Sequence, residues 1–477
     1  MSTNAQATQA LLSLCEDQGR RKAELSTAVR DLLSQGADVN ARGNYGSTPL
    51  HFAVLAPYQK DRPLPDIDGV KALLDAGADP NARDDHAQTP LLRALPDARD
   101  DAAQEQRALE LIHLLRAAGA KVPPDVKDSR AAAFRMGSQR LYQQLLDAGA
   151  PIDVRDNSDS TPLHRAAANG FAPIAELLLA RGAEVNALDG LGRTPLGAAL
   201  RKCVGHSGKP HGRTPEYAAL IALLERAGGQ PRVDFARSED PFAPFPIDTA
   251  ALKAAAPNGQ LSFEHEIASA QEFATGLHSS GEPEESLAHL EALRSVLDAP
   301  PRHVRLQGPL ILKRPFFHHG DLEVDGHLDI DRPFAVTGNL IVHGVLRDNG
   351  NDSLVNVLGD VRCHALHTDG EFSVRGAIHA RDVVLGYYND HLLWAASIHA
   401  RVVIEDEHAI SAEVHAEHHF DISTYQQGYG KGVNERLRSV FVDDVFEQGD
   451  EEEPGQLDNS EVFDRIRKGL PVFRERP

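Results

Sequence analysis

The chain has 477 residues, enough for two or three domains with full cores, and a formal net charge of −21. That charge excludes duplex nucleic acid and an anionic membrane as main partners. Three cysteines, far apart in sequence, do not make a disulfide framework, and no run of about 18 apolar residues appears, so a protein of the cytoplasm is expected.

A repeating unit occupies residues 1–229. Its clearest copy runs from Thr161-Pro162-Leu163-His164 through Gly182-Ala183-Glu184-Val185-Asn186, and restarts at Thr194-Pro195-Leu196. Thr161 is placed to cap a helix, and Pro162 sits at the first helical position, where its missing N–H costs nothing. Leu163, Ala166 and Ala167 make a narrow apolar face, and Ile174, Leu177 and Leu178 supply the antiparallel partner helix. Gly182 suits the left-handed position after that helix. One such unit cannot bury its own apolar face, so several must stack.

Equivalent glycines fall at Gly36, Gly77, Gly119, Gly149, Gly182 and Gly228, with spacings of 41, 42, 30, 33 and 46. Helix caps recur at Thr48-Pro49 and Thr89-Pro90. The unit from Ser129 to Leu146 lacks Thr-Pro but keeps an apolar helix pair. About six helix pairs are predicted. On these residues the region resembles the ankyrin family, which implies a non-enzymatic solenoid that binds a protein partner through hairpin tips and inner helices. His51 and His164 belong to the Thr-Pro-Leu-His signature, with hydrogen bonding between repeats as their role.

The surplus residues fall in loops 57–68, 96–106 and 203–215, each after an inner helix, and such clustered insertions mark a binding edge. The candidate partner-binding residues are Tyr45, Tyr58, Lys60, Arg62, Asp97, Arg99, Asp100, Asp159, Arg193, His206, Lys209 and His211. Cys203, His206 and His211 have zinc-ligand character but lack a fourth ligand, so no metal and no cofactor is expected.

A Pro-rich linker follows at 230–260, where Pro231, Pro241, Pro244, Pro246 and Pro257 break regular elements. Its phenylalanines suggest packing along one domain. Helices are expected at Phe263–Gly276 and Pro283–Ala299, within a helical cap spanning 261–300.

Residues 301–422 alternate apolar and polar positions between single glycines, as at Gly320–Gly326 and Gly338–Gly344, with an 18-residue period. Ile378-His379-Ala380-Arg381 returns as Ile398-His399-Ala400-Arg401. Three short strands per coil at this period resemble a parallel β-helix, similar at fold level to the bacterial polymer-forming, bactofilin-like type. Thirteen of the 23 histidines lie between His318 and His419; His379 and His399, one coil apart, are read as a structural ladder. Glu323, Asp325, Asp329, Glu405, Asp406 and Glu407 would be the carboxylates of a glycan-active enzyme, but an outward charge is usually a solvated face. Residues 423–477 hold C-terminal helices and an acidic segment, with 433–446 expected to cap the last coil.

The fold class is therefore multidomain α then β: an ankyrin solenoid followed by a helix-capped parallel β-helix. Function reads as a bacterial immunity or adaptor protein, not an enzyme, holding a basic protein partner. The alternatives are the glycan-active enzyme and a β-helical scaffold that self-assembles.

Overall fold

The computed structural model describes residues 4–16, 25–55, 64–95, 102–123, 138–203, 214–256, 267–277, 283–350, 353–387, 391–422, 431–449 and 455–475. Two compact units result. The first runs to Pro231, except that Gly190–Arg193 groups with the second, which begins at Arg232.

The first unit is all helical among its described residues. Its helices are α1 (Ala5–Glu16), α2 (Leu25–Ser34), α3 (Pro49–Val54), α4 (Ile67–Asp75), α5 (Pro90–Arg93), α6 (Ala102–Ala117), α7 (Gln139–Asp147), α8 (Pro162–Asn169), α9 (Ala172–Ala180), α10 (Pro195–Cys203) and α11 (Thr214–Arg226). The inner helix expected from Ser129 falls outside the described residues. All six register glycines have φ between 86° and 92°. A side chain would strain there, which is why glycine recurs after each outer helix. Leu50, Leu91, Leu111, Leu163, Ala166, Leu178 and Leu220 are essentially fully buried in one continuous core.

Two polar devices join successive repeats. In the first, an asparagine four residues after the register glycine bridges to the next copy. Asn40 donates to Gly77 O at 3.0 Å and accepts from Asp79 N at 2.8 Å. Asn81 does the same with Gly119 O and Lys121 N, and Asn186 with Gly228 O and Gln230 N. In the second, the Thr-Pro-Leu-His histidine closes its own cap and reaches onward. His51 Nδ1 accepts from Thr48 N at 3.1 Å, so the proton lies on Nε2, which donates to Gln88 O at 3.0 Å. Burial holds the His51 imidazole below its ordinary pKa, and so neutral. His164 makes the same cap with Thr161.

In the second unit, α12 (Thr249–Ala255), α13 (Ala270–Ala274) and α14 (Pro283–Val296) precede the strands. The prolines do not abolish regular structure across the linker, because Asp248 caps α12 by accepting from Ala250 N and Ala251 N. Of the helix expected at Phe263–Gly276, only the short α13 is present among the described residues. The linker does pack: Phe242 meets Phe316 edge-on at 5.8 Å, and Phe245 meets Phe317 at 5.4 Å.

The strands are β1 (Arg302–Gln307), β2 (Leu310–Leu312), β3 (Phe316–His318), β4 (Gly320–Asp325), β5 (Leu328–Ile330), β6 (Phe334–Val336), β7 (Leu340–Val342), β8 (Val345–Asp348), β9 (Leu354–Val357), β10 (Val361–Cys363), β11 (Ala365–Thr368), β12 (Glu371–Ala380), β13 (Val383–Tyr387), β14 (Leu392–Asp406) and β15 (Ala409–Asp421). All pairings among them are parallel and wind a three-faced solenoid of about six coils. Face A stacks β1, β4, β7, β10 and the later parts of β12, β14 and β15. Face B follows β2, β5, β8, β11 and β13 onto the ends of β14 and β15. Face C follows β3, β6 and β9 onto the starts of β12, β14 and β15.

The register pairs on face A give coil lengths of 18, 18, 21, 17, 20 and 16 residues. The lumen is dry and apolar. Leu322, Val324, Leu328, Ile330, Phe334 and Val336 are fully buried, and Phe316 stacks on Phe334 at 5.4 Å. One buried corner is polar. The fully enclosed Asp348 carboxylate accepts from Ser353 and Thr368 hydroxyls and from the backbone N–H groups of Gly350 and Gly370, both at 3.1 Å.

Helices pack on the solenoid before and after its strands, and the segment 433–446 reaches the last coil, where Arg436 lies over the Phe420 ring at 5.0 Å. Helices α13 and α14 lie along face C, burying Phe273, Leu290 and Leu293 with the outward-facing Phe317, Ala335 and Leu358. The C-terminal helices α15 (Lys431–Val440) and α16 (Asn459–Arg467) join Phe441, Phe463 and Ile466 to the outward residues Val345, Ala365, Val383, Leu385, Val402 and Ile404 of face B. The reason is that many strands of faces B and C carry apolar residues on their outer side as well, such as Phe317, Ala335, Val383 and Val402, and these must be covered laterally.

Candidate protein-binding surface

Hairpins precede each inner helix, and their tips share one conformation. The residue two before the capping threonine is left-handed in four copies: Gly46 (φ 64°), Ala87 (φ 58°), Asp159 (φ 55°) and Gly192 (φ 75°). Arginines brace these tips from the flank. Arg42 donates to Gly46 O at 2.9 Å and Arg83 O at 2.7 Å, and Arg155 donates to Asp159 O at 2.9 Å and Leu188 O at 2.5 Å. Below the tips, Asp84 pairs with Arg93 and Asp156 with Arg165, which ties each hairpin to its inner helix. Asp84 is held below the usual carboxylate range by the Arg93 guanidinium and the Gln88 N–H, against its own desolvation.

Tyr45 departs from this pattern in an informative way. It is a second left-handed residue in its tip (φ 55°), with no glycine freedom to excuse it, and it is 70% exposed. Its carbonyl accepts from Asp85 N of the next tip at 2.9 Å, and its ring lies 5.8 Å from that of His86. A rigid, exposed aromatic pair thus spans two neighbouring tips. His86 is absent from the residues chosen by sequence, although it stands three before Thr89, as Tyr45 stands three before Thr48.

Of the other candidates, Asp159 lies at a tip and Arg193 is half-buried next to one. Tyr58, Lys60, Arg62, Asp97, Arg99, Asp100, His206, Lys209 and His211 lie outside the described residues, and so does the side chain of Cys203. Among the described residues, α3, α5 and α10 each start just after a hairpin tip and end shortly before the sequence positions of the surplus residues. Among the described residues no group of three or more His, Cys, Asp or Glu side chains could hold a metal ion.

The carboxylates of the second unit are not gathered into one site. Glu323 and Asp325 share face A, Asp329 pairs with Arg467 of α16, and Glu405 meets His419 at 2.5 Å in the last coil. Glu323 is held down first by His343, at 2.7 Å, and Asp325 by Arg305, at 2.8 Å. Both carboxyls are held below their ordinary range, and neither has the raised pKa of a general acid.

The first unit defines its class by geometry: a stack of hairpin–helix–helix repeats bridged by asparagine and histidine. The comparisons make this specific. The family model for ankyrin repeats, in three copies, matches residues 129–208, and that for a single ankyrin repeat matches 45–85. Ankyrin repeat and SOCS box protein 16 of Mus musculus is 40% identical over 84 residues, which is 18% of this chain and 17% of the relative. Potassium channel KOR2 of Oryza sativa subsp. japonica is 39% identical over 88 residues, 18% of this chain and 12% of the relative. Serine/threonine-protein kinase 12 of Arabidopsis thaliana is 43% identical over 58 residues, 12% of this chain and 13% of the relative. The chain thus spans under a fifth of each relative it matches. The N-terminal unit is an ankyrin-repeat solenoid, a protein–protein interaction module, and the C-terminal unit is a parallel β-solenoid. No described helix is long and apolar enough to cross a membrane.

Proposed function

We propose that this chain is a non-enzymatic adaptor or immunity protein of the bacterial cytoplasm, and that its ankyrin tips hold a basic protein partner. The observation that carries the reading is Tyr45. An exposed tyrosine kept in a strained backbone conformation, braced by the neighbouring tip, is a pre-organised anchor of the kind that dominates interface energetics. The net charge of −21 favours a basic partner by long-range attraction. Eukaryotic relatives share the module, while the bacterial role rests on the resemblance of the second unit to bacterial β-helices. The lowered pKa values of Glu323 and Asp325, each hydrogen-bonded to a neighbouring side chain, support a non-catalytic reading of face A.

The test is a pull-down with the tagged full chain from its native source, repeated with Tyr45→Gly. Glycine removes the ring and relieves the left-handed strain, so the variant should fold at least as well while binding the captured basic protein at least about tenfold more weakly. Retention of no basic protein, or equal retention by the variant, overturns the proposal.

A further inference from the structure

Face A is the lateral face that neither helical segment covers, and its upper coils carry a column of imidazoles. Register aligns Arg362, His379, His399 and His415 on successive coils. The His379 and His399 rings stack at 4.8 Å and 16°, and the His399 and His415 rings at 4.7 Å and 18°. Three parallel imidazoles so close are compatible with neutral rings. Adding protons places like charges about 5 Å apart along one column, with the Arg362 guanidinium already at its foot. Burial, and then the His379 and His415 charges, hold His399 below its ordinary value, while Glu413 opposes them.

The top of this stack belongs to the terminal strand, whose end, at Phe420, packs with Leu437 and Phe441 of the C-terminal segment. Strand β15 pairs only with β14, and its side chains alternate between exposed and half-buried, with Phe420 alone fully enclosed among Ala409–Asp421. We propose that the His379–His399–His415 stack is a proton-responsive clasp that holds the terminal coil to the solenoid while neutral and releases β15 when protonated.

Other polar and charged groups also face the stack. Ser397 Oγ lies 3.0 Å from His399 Nε2 on the same strand. Arg381 and Arg401, two positions further along their chain segments, are each paired with a carboxylate, Asp382 at 2.7 Å and Glu417 at 3.6 Å. Glu413, 3.3 Å from His415, is the carboxylate that opposes release, and Glu405 lies 2.5 Å from His419 in the same coil. Repulsion within the stack outweighs them because it acts between adjacent members twice, whereas each carboxylate serves one exposed imidazole. The sign follows. A folded-state value below the ordinary 6.5 means that the clasp is fully effective above that value and is lost as pH falls through the lowered one.

Hydrogen exchange of the full chain, corrected for intrinsic rates, tests this at about pH 7.5 and about pH 5.5, which bracket the histidine range. Acidification is expected to cut protection of residues 409–422 by about tenfold, the size of one unit of coupling. The single tryptophan, Trp394, pairs in register with Ser411 of β15, and its emission should shift in the same pH interval. His399→Phe keeps a stacked ring without a proton site and should abolish most of both changes. If that variant does not fold, His415→Gln, at the exposed end of the stack, serves the same purpose. Unchanged or increased protection on acidification, or an equal loss in the folded variant, overturns the clasp.

Discussion

The two units are both repeat structures, yet they tolerate irregularity by different means. In the ankyrin unit the register glycines are 30 to 46 residues apart, since added length in a connection costs little closure entropy. In the β-solenoid the coil length varies only from 16 to 21 residues, because each strand of an interior coil is hydrogen-bonded to the coil before and the coil after. A helix satisfies its own backbone, so successive ankyrin repeats need only a few bridges. A strand cannot, so each coil is tied along its length. The lesson is that loss of one side chain should act locally in the first unit and propagate in the second.

The largest effect is expected inside the solenoid. Phe334→Ala empties the lumen beside Phe316 and should cost about 3–5 kcal/mol, read as a drop in the denaturant midpoint of the second unit with the first unit's transition unchanged. A smaller loss of about 2–4 kcal/mol is expected from Asp348→Ala, which leaves the Gly350 and Gly370 N–H groups without their acceptor in a closed corner, while the Ser353 and Thr368 hydroxyls keep Gly350 O and Gly370 O. The milder Asp348→Asn keeps an acceptor in that corner and should lose less. If either alanine variant instead shifted the ankyrin transition, the contrast between the units would fail.

Smaller effects are expected in the ankyrin unit. Asn81→Ala removes both bridges between two repeats and should cost about 1–2 kcal/mol, with increased exchange confined to the repeats on either side. Exchange that rises throughout the unit would show that these bridges are not local.

The pH dependence of the first unit supplies a finer probe. His51 is buried and neutral with a lowered pKa, so its contribution is complete above the ordinary 6.5 and declines as pH falls below it. Thermal melts between about pH 8 and about pH 5 should show this slope, and His51→Ala, although less stable, should flatten it. Smallest is a gain: Ala87→Gly relieves a left-handed alanine at a tip and should stabilise by about 1 kcal/mol, measured as a raised melting temperature.

Much of this architecture was legible in the residues because its signals are local. Thr161-Pro162 defines a cap and Gly182 a left-handed turn without reference to anything distant, and the alternation around Gly320–Gly344 reports a strand with one face in a lumen. The His379–His399 ladder could also be read, since equal residues one period apart must be neighbours in a coiled sheet. His415 escaped because the last coil is shorter by several residues and breaks the period. The lateral packing of α14, α15 and α16 could not be read for a related reason. An amphipathic helix announces that it will be covered, not by what, and the apolar residues on the outsides of faces B and C look like lumen residues until the strands are wound.

The sequence by itself determined the two repeat classes, the register of the ankyrin copies and the coil period, because each depends on backbone preferences repeated at fixed spacing. Tertiary structure alone decided which solenoid face stays open, that Tyr45 and His86 meet across two tips, and that three histidines share one column. Those are relations between residues far apart in the chain, and they exist only once the coils and repeats are stacked.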